Sequence, residues 1–225
     1  MIIAIDGPSG AGKSTVAKAV AKKLGFSCLD TGAMYRAVAW QAVQDGIGLD
    51  DNEALGALAL AKDIAFGHTA GDPIPKRVFI GGIEVTDAIR TAAIDKAVSP
   101  VSAAPAVREA LVAQQQRIGE AGDYVVEGRD IGTVVFPDAA LKVFLTATDE
   151  ERAHRRVRQN VDRSIGSFDY DEVLADLLRR DEHDSARATS PLCAAADAVV
   201  FDSTGRYIEE VIDEICAMAR ERMQK

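Results

Sequence analysis

A run of eight residues near the amino end, Gly7-Pro8-Ser9-Gly10-Ala11-Gly12-Lys13-Ser14, has the spacing GxxxxGK[ST]. Its glycines allow the backbone to curl so that its N–H groups point at bound oxyanions. The lysine can bridge the outer phosphates, and the following hydroxyl can ligate Mg²⁺. The run predicts a nucleoside triphosphate site. Its phosphate contacts are Gly7, Ser9, Gly10, Ala11, Gly12, Lys13, Ser14 and Thr15, with Ser14 as the metal ligand. The alternative is a glycine-rich turn with an exposed lysine.

Two further segments directly follow apolar runs, and each contains an arginine. Arg36 ends the stretch 30–36, and Arg129 lies in the stretch 127–139. The carboxyl ends of parallel strands form the ligand crevice of an open α/β sheet. A guanidinium fork suits a phosphate monoester, so the two arginines predict a second phosphate site. The alternative is a surface salt bridge at each arginine.

A third basic group lies on one predicted helix, and it comprises Arg152, Arg155, Arg156 and Arg158. The first three are at i, i+3 and i+4, so they share a helix face. We interpret this helix as part of a lid that closes over the transferring phosphoryl group and excludes water. The segment 160–168 is its expected tip, poorly ordered without nucleotide. A solvated basic face is the alternative.

Five short apolar runs supply the strands that must position these groups: 2–5, 26–29, 124–126, 141–145 and 198–201. Helical patterns separate most of them. One ends at Gly25, one opens at Pro105, and two begin at the capping boxes Thr148/Glu151 and Asp169/Glu172. Alternation of strands and helices predicts an α/β fold, a three-layer α/β/α arrangement around a five-stranded parallel sheet. Gly81-Gly82 between the segments 78–80 and 83–85 predicts an antiparallel hairpin within a small insertion.

Composition excludes several classes of protein. The formal net charge of −9 disfavours a partner such as a nucleic-acid polymer. Three cysteines at wide spacing fit neither a disulfide framework nor a metal knuckle. No apolar run approaches the roughly 18 residues of a membrane span. We therefore expect a cytoplasmic protein with no membrane partner.

The motifs together are more specific than the phosphate loop alone. They are IDGPSGAGKST, LDTGAMYRA, PAVREAL, EGRDIGTVVFPDA, EERAHRR and the run 180–187. With them the chain closely resembles, from end to end, the bacterial cytidylate kinases, nucleoside monophosphate kinases of the P-loop superfamily. The resemblance implies a monomer with ATP as donor, Mg²⁺ as cofactor, and CMP and dCMP as acceptors. It also implies a core (1–30, 97–150, 188–225), an acceptor region (31–96, with the insertion at about 64–96) and a lid (about 151–187).

The resemblance also assigns roles to single residues. It places Thr31, Tyr35, Arg36, Arg129 and Arg180 around the acceptor phosphate, Ser99, Arg108 and Asp130 at the cytosine, and Asp184 and Arg187 at the sugar. It assigns catalysis to Lys13, Arg129, Arg155, Arg156 and Arg180, and further contacts to ATP to Arg152, Arg155 and Arg158. The alternative for Asp130 with Arg108, and for Asp184 with Arg187, is an ion pair that only organises the fold.

The chemistry of cytosine fits these residue types. Its N4 amine donates, while N3 and O2 accept, so a carboxylate pairs with N4 and Arg or Ser pairs with the other two. Uracil presents O4 instead of N4, which opposes two acceptors and predicts a preference for CMP over UMP. No protein base is required, because a phosphate monoester is already largely dianionic at neutral pH.

Two other functions stay open at this point. The same fold can phosphorylate a different monophosphate or a small hydroxy metabolite, for which Asp130 offers a base. Alternatively, the loop can belong to a nucleotide-dependent regulatory switch. The guanine-specific NKxD stretch of such switches is absent from the sequence.

Overall fold

Branched apolar residues form a central sheet of five strands. In this computed structural model, which describes residues 1–224, the strands are β1 (Ile2–Asp6), β2 (Ser27–Asp30), β6 (Tyr124–Glu127), β7 (Leu141–Thr146) and β8 (Val199–Asp202). Their order is β2-β6-β1-β7-β8, with β1 in the middle. β1 pairs in parallel with β6 and β7, and β7 pairs in parallel with β8. The predicted fold class and its five strands are confirmed.

Eight α-helices accompany the strands in the part of the chain described. They are α1 (Lys13–Leu24), α2 (Thr31–Gln44), α3 (Asn52–Ala61), α4 (Ala92–Ala103), α5 (Pro105–Gly119), α6 (Asp149–Arg163), α7 (Tyr170–Ser185) and α8 (Ile208–Met223). The predicted end signals work as expected. Gly25 closes α1 in the left-handed conformation, and Thr148 and Asp169 accept from the N–H groups of Glu151 and Glu172.

A separate three-stranded sheet contains the predicted hairpin. Its strands are β3 (Ile64–Gly67), β4 (Arg77–Ile80) and β5 (Ile83–Glu84), in that order and antiparallel. Gly81 and Gly82 both have positive φ, at 54° and 82°, which matches the twist of a two-residue hairpin turn. The sequence patterns did not indicate β3, which pairs with β4 across a nine-residue connection, 68–76.

The chain divides into two compact units, one made of residues 1–29 and 123–225 and the other of residues 30–122. The first unit contains the parallel sheet with α1, α6, α7 and α8. The second contains α2 to α5 and the antiparallel sheet. No helix within residues 1–224 is both long and apolar enough to cross a bilayer. The predicted division into core, acceptor region and lid stays a prediction.

Candidate active site

The phosphate loop follows the central strand β1 and leads into α1. Gly7 has φ of 146°, and a Cβ at this position would lie 2.0 Å from the backbone oxygen of Leu145 on β7. Gly12, with φ of 93°, forms the N-cap of α1. These positions require glycine because a side chain would strain the backbone or clash with β7. The loop therefore points its N–H groups, together with the positive end of α1, toward one anion position.

Lys13 begins α1 and is only 5% exposed. Its ammonium donates to the carbonyl oxygen of Pro8 at 2.7 Å. Burial and the nearby positive charge of Arg129 lower its pKa well below the usual lysine value, while the carboxylates of Glu127, Asp6 and Asp181 oppose that shift. The lysine thus lies in a dry, charged cluster where bound phosphate can replace the carbonyl partner. Ser14 and Thr15, next along the helix, are exposed.

The arginines of α6 contact the loop by hydrogen bonds. Arg152 is buried and donates to the carbonyl oxygen of Ser9 at 2.7 Å. Arg155 donates to the carbonyl oxygen of Ala11 at 3.4 Å, and Arg156 donates to the Ser9 hydroxyl at 3.4 Å. The spacing of the three arginines predicted that they share one helix face. That face of α6 contacts the loop and is not wholly solvated. Arg158 is exposed.

A carboxylate also contacts the loop, and the sequence reasoning did not identify it. Asp181 of α7 accepts from the backbone N–H of Ser9 at 3.0 Å and forms an ion pair with Arg152. One backbone N–H of the loop, that of Ser9, therefore already binds a negatively charged side chain in this structure. The available signal was its place directly after Arg180 in the run 180–187.

Three predicted acceptor residues of this unit form one cluster. Arg129, just beyond β6, donates through Nε to the carboxylate of Asp184 at 2.9 Å, and Arg187 pairs with the other oxygen of that carboxylate. Burial raises the pKa of Asp184, but Arg129, Arg187 and Arg180 outweigh burial and hold it below the usual value. The ionised carboxylate of Asp184 thus holds together arginines that the sequence analysis assigned to CMP.

Asp130 lies next to Arg129 and is buried. It precedes a five-residue π-helix, Ile131–Val135, and has a non-helical backbone with φ of −144° and ψ of 26°. Its own carboxylate makes no capping hydrogen bond to that helix. Asp130 therefore lies at the point where the chain leaves the sheet and changes direction, with its side chain not used to cap the turn.

The remaining predicted acceptor residues belong to the unit 30–122. Thr31 opens α2, whose N-cap Asp30 accepts from the N–H of Ala33. One turn later, Arg36 forms an ion pair with Asp95 of α4 and donates to the carbonyl oxygen of Ile89 at 3.2 Å. The predicted arginine therefore already has an acidic partner within its own unit.

In the same unit, a residue predicted to contact the cytosine lies beside a residue predicted to contact the acceptor phosphate. The guanidinium of Arg108 on α5 lies 5.5 Å from the ring centre of Tyr35 on α2, a cation–π contact, and donates to the carbonyl oxygen of Ser102 at 3.3 Å. Ser99 is on α4, directly before Pro100, which lies inside that helix. Both Tyr35 and Arg108 are buried, so their positions are fixed by packing.

Comparison with known proteins decides the family. The sequence profile of the cytidylate kinase family matches residues 3–221. The chain belongs to the cytidylate kinase family. It is 46% identical over 222 residues to a cytidylate kinase of Desulfitobacterium hafniense, covering 99% of this chain and 94% of that protein. It is 48% identical over 222 residues to one of Streptococcus pneumoniae, covering 98% of each chain.

A solved structure of low sequence identity has a similar fold. A crystal structure of an uncharacterized protein from Eubacterium ventriosum superimposes with a TM-score of 0.55 at 13% identity, covering 98% of each chain. At that identity the similarity concerns the fold alone. It supports the three-layer architecture and carries nothing about the acceptor.

One more residue of this cytidylate kinase family chain is noteworthy because the sequence reasoning passed over it. Glu127 ends β6, is buried, and its charge opposes the lowering of the Lys13 pKa.

Within residues 1–224 no group of three or more His, Cys, Asp or Glu side chains is placed to hold a metal ion. The exposed Ser14 hydroxyl beside the loop fits Mg²⁺ of the kind whose other ligands are phosphate oxygens and water.

Proposed function

We propose that the chain transfers the γ-phosphoryl group of ATP to CMP or dCMP, giving ADP and CDP or dCDP, by in-line displacement without a covalent intermediate. One observation beyond family membership carries the proposal. β1 and β6 are parallel neighbours, so the phosphate loop after β1 and Arg129 after β6 leave the same edge of the sheet. In agreement with this, the charge of Arg129 lowers the pKa of Lys13. Two cations so placed can hold the two phosphates that must react.

On the donor side, the loop N–H groups and Lys13 bind the β- and γ-phosphates of ATP. Ser14 is the protein ligand for Mg²⁺, which, when bound, neutralises charge on the phosphate oxygens. Arg152 and Arg155 exchange loop carbonyl partners for phosphate oxygens, and Arg156 exchanges the Ser9 hydroxyl for one. Arg158 approaches ATP from the exposed part of α6. The role of these groups is positioning and charge stabilisation.

On the acceptor side, we assign the contacts to CMP residue by residue. The phosphate is bound by Arg129, Arg180, Arg36, Tyr35 and Thr31. The cytosine is bound by Asp130, Arg108 and Ser99, and the sugar by Asp184 and Arg187. A phosphate oxygen of CMP attacks the γ-phosphorus of ATP. The bond between the γ-phosphorus and the β–γ bridging oxygen breaks, and that oxygen leaves with ADP. No protein base is needed, since the attacking monoester is already ionised near neutral pH.

Coupled ADP release over a panel of acceptors tests this function, with the nucleotide product identified by chromatography. We expect CMP and dCMP to react, UMP to react at least about tenfold more slowly, and AMP and shikimate to be inert. If CMP and dCMP are inert while another acceptor reacts, the proposed acceptor is wrong. Equal ATP turnover with and without CMP would favour the regulatory switch.

We further propose that the enzyme acts in the cytoplasm as a monomer. The resemblance to cytidylate kinases implies the monomer, and the three free cysteines suit a reducing compartment. Light scattering after size-exclusion chromatography, with and without nucleotides, tests the monomer. A stable dimer mass at micromolar concentration would contradict it.

A further inference from the structure

A buried carboxylate at the end of the central strand holds the turn that carries two acceptor residues. Asp6 is the last residue of β1 and is 4% exposed. Its Oδ1 accepts from the N–H of Ile131 at 2.8 Å, and its Oδ2 accepts from the N–H of Gly132 at 2.7 Å. Both distances are in the range of charge-assisted hydrogen bonds.

These two bonds join β1 to the chain that follows β6, beyond the last backbone pair of the two strands. The last register pair of β1 and β6 joins Ile5 to Glu127, and the N–H of Gly128 still donates to the carbonyl oxygen of Ile5 at 3.1 Å. Beyond Gly128 the chain leaves the strand. Arg129 and Asp130 are therefore fixed on both sides, by Ile5 before them and by Asp6 after them.

The fit around this contact is close. A Cβ on Gly132 would lie 3.1 Å from Cδ of Lys142 and 3.4 Å from Oδ2 of Asp6. Lys142 is itself buried and paired with Asp197 at 2.8 Å. A side chain at Gly132 would crowd this contact, because the lysine stem closes the space from the other side.

We propose that Asp6 is a positioning residue for acceptor recognition, which fixes the backbone of Arg129 and Asp130 so that their side chains meet the phosphate and base of CMP. The inference rests on the proposed function and adds a residue to it. An alternative role is electrostatic, because the negative charge of Asp6 also opposes the lowering of the Lys13 pKa. That role would act on ATP, whereas positioning acts on CMP.

Asp6→Asn separates these roles, because an amide turns one acceptor into a donor that faces a backbone N–H. We expect KM for CMP to rise about tenfold or more and the CMP-to-UMP ratio of kcat/KM to fall by a similar factor, since displacement by about 1 Å can cost that much. The dissociation constant of ATP, measured calorimetrically without acceptor, should change less than about threefold. An equal loss for ATP, or an unchanged CMP-to-UMP ratio, overturns the proposal.

Two further variants complete the test. In an Asp130→Asn background, Asp6→Asn should lower the CMP-to-UMP ratio no further, because both act through one side chain. Gly132→Ala crowds the same contact without removing any charge. If Asp6→Asn does not fold, KM for CMP, the CMP-to-UMP ratio and ATP binding of Gly132→Ala test the proposal instead. A wild-type enzyme inactive with CMP would contradict the proposed function itself. A wild type active with CMP whose Asp6 variant keeps KM and base preference would contradict only the present inference.

Discussion

The proposed donor and acceptor sides of the unit formed by 1–29 and 123–225 are built from different groups. Around the phosphate loop, the arginines of α6 donate to main-chain oxygens such as those of Ser9 and Ala11. At the end of β6, Arg129 and Arg187 instead share the carboxylate of Asp184. In the proposed function, the first arrangement binds the phosphates of ATP mainly through the backbone, and the second binds CMP through charged side chains.

This difference has a consequence for variation and for energetics. A backbone site tolerates changes of side chain wherever φ and space permit, but it depends on its glycines and on Lys13. A site of paired side chains depends on each partner, because removing one leaves a buried charge without compensation. Variants on the two sides should therefore fail in different kinetic terms.

Lys13→Ala should produce the largest effect, a fall in kcat of about a thousandfold, or about 4 kcal/mol. The lysine is the one loop side chain proposed to stabilise charge at the transferring phosphoryl group, so affinity for CMP should stay near the wild-type value. Initial rates and CMP binding by calorimetry provide the measurement. Lys22→Ala, an exposed lysine in the last turn of the same helix, is the matched control. A loss of CMP affinity as large as the loss of rate would contradict a separate donor side.

The pH dependence of stability should distinguish Asp6 from Asp184. Burial raises the pKa of Asp6 from 3.8 to about 6, with its two backbone hydrogen bonds opposing the shift. The folded protein therefore binds this proton more tightly than the unfolded chain, so the contribution of Asp6 to stability declines as pH rises from about 4 to about 6. The shift corresponds to about 3 kcal/mol.

Urea unfolding of wild type and Asp6→Asn at several pH values measures this effect. The difference in free energy of unfolding, wild type minus variant, should fall over that interval and then level off. Asp184, with its lowered pKa, should show the opposite sign, since its stabilising contribution is lost as pH falls. A difference for Asp6 that rises with pH would show that its pKa is not raised in the folded protein.

Arg129→Lys should reduce kcat/KM for CMP by about thirtyfold, or about 2 kcal/mol, because lysine keeps the charge but not the planar fork. The dissociation constant of ATP should change little. Arg179→Lys serves as control, since Arg179 lies exposed on α7 and pairs with Asp176. If the lysine variant keeps wild-type kcat/KM, bidentate geometry at this position is not required.

Asp181→Asn should have the smallest effect of these variants, and it should strengthen ATP binding instead of weakening function. Its carboxylate accepts from the N–H of Ser9 and pairs with Arg152, two groups that we propose for ATP. Removing this competing charge should tighten ATP binding about threefold, or about 0.7 kcal/mol. Asp176→Asn on the same helix is the control. Weaker ATP binding would mean that Asp181 supports the nucleotide-bound loop instead of competing with phosphate.

Much of the fold could be predicted because its signals are local. Apolar runs gave all five strands of the parallel sheet, and Gly25, Pro105, Thr148 and Asp169 marked helix ends by their own backbone chemistry. β3 was missed because a four-residue strand in an antiparallel sheet is defined by its partner, β4, more than by its own composition.

The candidate site could be predicted in part for the same reason. Contiguous motifs identified the loop, the arginines after the strands and the basic face of α6. Asp6 and Asp181 were not assigned roles, although both lie within motifs, since their partners are 125 and 172 residues away in sequence. Hydrogen bonds over such separations depend on how the strands and helices pack.

The sequence by itself determined the family, the five strands of the parallel sheet and the identity of the phosphate loop, because glycine spacing and hydrophobic period act over a few residues. Only the tertiary structure decided which charges meet. Arg36 with Asp95, Arg129 with Asp184, and Asp6 with the N–H groups of Ile131 and Gly132 come together through packing. Electrostatic partners are chosen by distance and burial in three dimensions, and neither quantity is contained in residue type or spacing.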